Sequence, residues 1–82
     1  MSRVKNLRNL SLEGTPISNV AAIAELAHLE HLNLSGTRVS DLEALKALTK
    51  LSSLYLHETK IAATEVRSLQ NALPQCYIYW DW

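Results

Sequence analysis

Phenylalanine is absent from this 82-residue chain, and cysteine occurs once, at Cys76. A lone cysteine excludes an intramolecular disulfide, so the fold has to hold through burial and hydrogen bonding. Glycine and proline occur only twice each, too few for a glycine-rich loop that cradles a phosphate. Charge of one sign is also missing: 8 Lys and Arg balance 8 Asp and Glu, for a formal net charge of 0. That balance supplies no long-range pull toward a nucleic-acid backbone or an anionic membrane, and little repulsion between copies. Neither nucleic acid nor membrane is expected as a partner. No apolar run approaches the roughly 18 residues that suggest a transmembrane span. Arg3 and Lys5 resemble the basic start of an export signal, but Asn6, Arg8, Asn9, Ser11 and Glu13 interrupt the apolar stretch that should follow. The compartment expected on these grounds is the cytoplasm.

What the chain has is leucine, at regular places. Leu7, Leu10 and Leu12 recur as Leu29, Leu32 and Leu34 and again as Leu51, Leu54 and Leu56, each time 22 residues further on. A fourth pass at the same offset reads Leu73, Cys76 and Ile78. Thr15, Thr37 and Thr59 form a second column, with Asp81 in the fourth place, and Ile17, Val39 and Ile61 form a third. The leucine-x-leucine piece has the two-residue period of a strand. After Gly14 and Gly36 the period changes. Val20, Ile23, Leu26 and Leu29, then Leu42, Leu45, Leu48 and Leu51, fall three apart, the spacing at which side chains eclipse in short 3₁₀ turns. Each unit is a strand, a turn and a compact return. One unit cannot bury its own leucines, and stacked units can.

The third return, Ile61 to Pro74, differs. Arg67 and Gln70 stand where the earlier units have Leu45 and Leu48, and the apolar positions move to Val66, Leu69 and Leu73. A 3-then-4 spacing predicts an α-helix of about two and a half turns. Thr64 is the expected N-cap, Glu65 suits the first turn, and Pro74 ends the helix.

The pieces `LRNLSLEGTPISNV`, `LEHLNLSGTRVSDL` and `LSSLYLHETKIAAT` resemble the bacterial leucine-rich-repeat family, in particular the 22-residue repeats of the internalin type. The ending `ALPQCYIYW` is similar to a recurring C-terminal edge of bacterial repeat proteins. The resemblance implies a short α/β solenoid. Its parallel concave sheet would have about four strands, with 3₁₀ turns on the convex side and one C-terminal α-helix. The expected division is a single leucine-rich-repeat domain over 1–82. Residues 1–9 form a partial repeat, 10–31, 32–53 and 54–75 are repeats, and 76–82 form a C-terminal strand and tail. Family members often carry asparagine where this chain has Thr15, Thr37 and Thr59; a threonine hydroxyl can serve the turn instead. The usual role of the family is protein recognition, so the resemblance implies a non-enzymatic module that binds a protein partner through its concave sheet. A structural alternative is a stub, or the C-terminal part of a longer solenoid, that self-associates as a homodimer through an uncapped N-terminal edge around Asn9–Glu13.

In such a sheet the residues between the leucines line the open face. A constant offset gives three rows: Asn9, His31, Ser53, Gln75; then Ser11, Asn33, Tyr55, Tyr77; then Glu13, Ser35, His57, Tyr79. Tyrosine combines rigid apolar area with a polar tip, which suits interfaces. The candidate binding residues are therefore Tyr55, His57, Tyr77 and Tyr79, with His31 and Asn33 beside them. The competing use of these aromatics, and of Trp80 and Trp82, is to cover the last repeat. His31 and His57 lie on neighbouring strands but about 13 Å out of register, too far apart for one zinc ion. No metal, cofactor or catalytic group is expected. Ser35 neighbours His57, but no carboxylate orients the imidazole and an open sheet does not exclude water. Cys76 reads as a buried small hydrophobe in a leucine's place, and Arg3, Lys5 and Arg8 as a basic patch lacking the aromatic platform of a nucleic-acid site.

Overall fold

The computed structural model describes residues 6–80. Arg3, Lys5, Asp81 and Trp82, to which the sequence assigns places in a basic patch, a column and a tail, lie outside the described residues. Four short strands form one parallel sheet in sequence order: β1 (Asn9–Ser11), β2 (His31–Asn33), β3 (Ser53–Tyr55) and β4 (Tyr77–Tyr79). Two returns are 3₁₀ turns, at Ile23–Glu25 and Glu43–Ala47, and the third is an α-helix, α1 (Ala63–Ala72). The short leucine-rich-repeat solenoid expected from the repeats is the fold.

The core lies between the sheet and the returns. Leu32, Leu34, Leu54 and Leu56 from the strands meet Leu29, Leu42, Leu45, Leu48, Leu51, Val66 and Leu69 from the returns, all fully buried. At the two ends of the stack burial is incomplete: Leu10 and Leu12 at one end, and Ile78 and Trp80 at the other, are half-buried against the same core. A leucine with a strand on either side loses its water completely; one on an end strand has a neighbour on one side only.

The same side-chain device closes β1, β2 and β3. Thr15, Thr37 and Thr59 donate their hydroxyls to the carbonyls of Leu12, Leu34 and Leu56 at 2.7, 2.7 and 2.8 Å, so threonine serves the turn by donating to a carbonyl. The residue before each threonine has a positive φ: 76° at Gly14, 72° at Gly36 and 56° at Glu58. At Gly36 an added Cβ would meet the backbone of Gly14 at 3.4 Å, an ordinary contact, so it is the positive φ that favours glycine there. Glu58 holds the same turn at a conformational cost of about 1–2 kcal/mol. Asn19 and Asp41 then start the two 3₁₀ returns by accepting the amides of Ala21 and Glu43 at 2.8 and 2.9 Å.

The third return has no such residue: Ala63 occupies that place. Ala62 is the N-cap of α1 and no side chain caps it, which corrects the expectation for Thr64, an exposed residue one position into the helix. Glu65 does more than favour the helix dipole. Its carboxylate accepts the amide of Leu42 at 3.0 Å, tying the helix to the preceding return. At the other end Gln70 donates its side-chain amide to the carbonyls of Leu73 and Cys76 at 3.2 and 2.8 Å, closing the helix before Pro74.

The helix also changes the register. Leu10 pairs with Leu32 and Leu32 with Leu54, but Leu54 pairs with Ile78, a step of 24 residues in place of 22. An α-helix advances about 1.5 Å per residue and a 3₁₀ turn about 2.0 Å, so a helical return consumes more chain to span the same distance. The two additional residues keep every side chain on its face. They also move Cys76 out of the leucine column, which Ile78 occupies.

Candidate functional site

The open face of the sheet is built from the strand residues that alternate with the core leucines. Two rows run across it. Asn9, His31, Ser53 and Tyr77 make one, and Ser11, Asn33, Tyr55 and Tyr79 the other. The shifted step corrects the expected rows at their C-terminal end. Tyr77 stands beside Ser53 rather than Tyr55, and Tyr79 beside Tyr55 rather than His57. Gln75 leaves the ladder altogether and donates its amide to the carbonyl of Thr49 at 2.9 Å.

The shift brings two aromatic rings together. Tyr55 and Tyr79 stack with centroids 4.7 Å apart and planes 8° from parallel, close to the strand spacing of about 4.8 Å that carries them. Tyr77 projects beside them and is 72% exposed, with Tyr79 at 44%; among the described residues these are the exposed large hydrophobics. Tyr55 is half-buried. The aromatics are thus only partly used in covering the last repeat, a task shared by Trp80, which packs against the core.

The polar members are tethered. His31 Nδ1 hydrogen-bonds Ser53 Oγ, and Ser53 is buried between its row neighbours. Asn33 accepts the amide of Ser35 at 3.0 Å and donates to Glu13 at 3.5 Å. Ser35 in turn accepts the backbone amide of His57 at 3.0 Å. These bonds fix side-chain directions on the face before any ligand arrives, lowering the ordering cost of binding. Asn9, Ser11, His31, Asn33 and Tyr55 line a shallow hollow of about 250 Å³, together with the strand positions Leu10 and Leu32 between them. His57 lies beyond β3, outside both rows.

Chemistry of bond-making has little to work with here. Among the described residues no group of three or more His, Cys, Asp or Glu side chains could hold a metal ion. Cys76 is buried, and burial raises its thiol pKa from 9.0 to about 11, opposite to the shift that makes a nucleophile. Of the basic patch, the described Arg8 faces Glu30 with Nε 3.9 Å from a carboxylate oxygen. No helix of the described residues is long and apolar enough to cross a membrane.

The family model for leucine-rich repeats in two copies matches residues 5–47 and again 27–71. The chain belongs to the leucine-rich-repeat family. Its solved relatives place it near the internalin type. Internalin C2 of Listeria monocytogenes is 31% identical with a TM-score of 0.80, over 90% of this chain and 31% of that one. A second internalin of the same organism is 24% identical with a TM-score of 0.78, over 92% of this chain and 21% of that one. A leucine-rich-repeat protein of Leptospira interrogans, 23% identical with a TM-score of 0.57, is covered over 25% of its length by 93% of this chain. The chain therefore spans less than a third of each. No curated protein matches it.

Leucine-rich-repeat proteins of this bacterial type generally mediate protein–protein interaction and are typically non-catalytic. The cytoplasmic location expected from the sequence does not stand, because the matching internalins belong to a secreted and cell-surface class of bacterial proteins. The physical reason is plain in the core. A stack held by leucine columns and threonine-closed turns needs no disulfide, so a single cysteine says nothing about the compartment.

Proposed function

We propose that the chain recognises an extended segment of another protein on the concave face of its sheet, without catalysis. Tyr55 and Tyr79 are the anchors, Tyr77 stands at the rim, His31 and Asn33 supply polar contacts along the rows, and His57 supplies one beyond β3. The observation that carries this reading is the stacked Tyr55–Tyr79 pair at the shallow hollow lined by His31, Asn33 and Tyr55. Rigid aromatics next to pre-tethered polar groups are the usual composition of a binding hot spot. The central rows from Ser11 to Tyr79 and from His31 to Tyr77 contain no carboxylate, lysine or arginine. Selectivity would then come from shape and hydrogen bonding more than from charge steering.

The test uses a protein-fragment library selected on the immobilised chain. Tyr55→Ala is expected to weaken the selected ligand about 30-fold, the loss of one hot spot of roughly 2 kcal/mol. The convex variant Ala22→Ser is expected to leave affinity unchanged. Equal affinity for wild type and Tyr55→Ala would remove the aromatic-anchor reading.

A structural reading is favoured by one observation. Leu10 and Leu12 remain half-buried where Leu32 and Leu34, in the same columns, are fully buried. In this reading the β1 end receives a neighbouring repeat or a second copy, and the chain acts as one stretch of a longer solenoid.

A further inference from the structure

β4 is the end strand of the described sheet, and it lacks charge and proline, two of the devices that keep edges apart. The stretch Cys76-Tyr77-Ile78-Tyr79-Trp80 contains no lysine, no carboxylate and no proline, which are the residues that normally blunt an edge.

The backbone of β4 is directed in a way that fixes how it could pair. Tyr77 donates its amide to Ser52, and the Tyr79 carbonyl accepts from Leu56, so both tyrosines face β3. Strand residues alternate in the direction of their backbone groups, and the amide and carbonyl of Ile78 therefore point to the open edge. The side chains of Ile78 and Trp80 are half-buried at that end of the core.

We propose that the β4 edge is a homodimer interface, in which two copies pair antiparallel about a two-fold axis at Ile78. Ile78 meets Ile78 of the second copy, and each donates its amide to the other's carbonyl, the close hydrogen-bonded arrangement of an antiparallel ladder. Tyr77 of each copy falls opposite Tyr79 of the other. The Tyr55–Tyr79 stack then continues into a third tyrosine, once on each side of the axis. On the inner face the half-buried Ile78 side chains cover one another, extending both cores across the junction. Like charges do not meet among the described residues of this register, where Cys76 lies opposite Trp80. A second copy is the favoured occupant because the strand is complementary to itself about that axis. The net charge of 0 also leaves no repulsion to overcome. A two-fold interface uses the same patch on both partners, and β4 satisfies that condition with its own three residues.

The experiment is sedimentation equilibrium of the full chain from about 1 μM to about 500 μM. The wild type is expected to pass from monomer to dimer within that range. Ile78→Pro removes an amide that points outward, not one that bonds β3, and proline is tolerated at such edge positions. It is expected to raise the dimer dissociation constant at least tenfold while the chain keeps its circular-dichroism spectrum. Tyr77→Lys, which places a charge on the edge, is the second variant and is expected to act in the same direction. A wild type that stays monomeric throughout overturns the proposal. So does a dimer that both variants leave intact but Ser11→Pro abolishes, because Ser11 lies on the opposite edge. That outcome would favour the structural reading of the β1 end. The concave-face reading is untouched by either result, since Tyr55→Ala tests it separately.

Discussion

Leu54→Ala is expected to destabilise the protein by about 3–4 kcal/mol, and Leu10→Ala by only about 1–2 kcal/mol. The two leucines hold the same place in their repeats and differ in what surrounds them. Leu54 is fully buried, paired with Leu32 on one side and Ile78 on the other. Its removal leaves a cavity whose walls are strands held by backbone hydrogen bonds and cannot collapse. Leu10 is half-buried on the edge strand, with Leu32 as its one cross-strand neighbour, so less contact is lost and water fills the gap. A domain of this size has a total stability of only about 4–12 kcal/mol at ~0.05–0.15 kcal/mol per residue. Leu54→Ala therefore removes a large fraction of it. Urea unfolding of the two variants against wild type reads the difference. Equal losses would mean that the columns do not act as stacked neighbours.

Cys76 is expected to react with an aromatic disulfide reagent at pH 8 at least ~100-fold more slowly in the folded chain than in urea. The rise of its pKa from 9.0 to about 11 alone lowers the thiolate population by roughly that factor, and the thiolate is the reacting form. The cause is burial beneath the chain that leaves α1, where Gln70 holds the carbonyls of Leu73 and Cys76. The same shift gives a pH dependence. The unfolded thiol ionises at a lower pH than the folded one, so the folded state's advantage is intact below pH 9.0. It is lost progressively as the pH rises through about 11. A folded thiol that reacts as fast as the unfolded one would contradict the placement of Cys76 in the core.

The fold was legible in the sequence because a solenoid writes its contacts at a fixed period. Leu10, Leu32 and Leu54 are neighbours in space because they are 22 residues apart, and the change to α1 was visible in the shift of Val66, Leu69 and Leu73. The site was legible only in part. The tyrosines, His31 and Asn33 could be assigned to the open face by alternation, but not the pairing of Tyr55 with Tyr79. That pairing depends on how many residues the third return consumes, and counting at a constant offset gives Tyr77. The signal was present, since a helical return needs more residues per ångström than a 3₁₀ return. The N-cap was missed for another reason. Thr64 has the right chemistry, but the turn closed by Thr59 and the extended Ala62 fix where the helix begins. The bond from Leu42 to Glu65 has no sequence signal, because it joins residues in different repeats.

Backbone amide chemical shifts of the labelled chain, recorded as a selected protein ligand is titrated in, test concave-face recognition most directly. The largest changes are predicted at His31, Asn33, Tyr55 and Tyr79, with little change along the convex returns at Ser18–Ala21 and Ser40–Ala44. Changes concentrated on those returns, with the strand rows unmoved, would contradict recognition through the open face of the sheet.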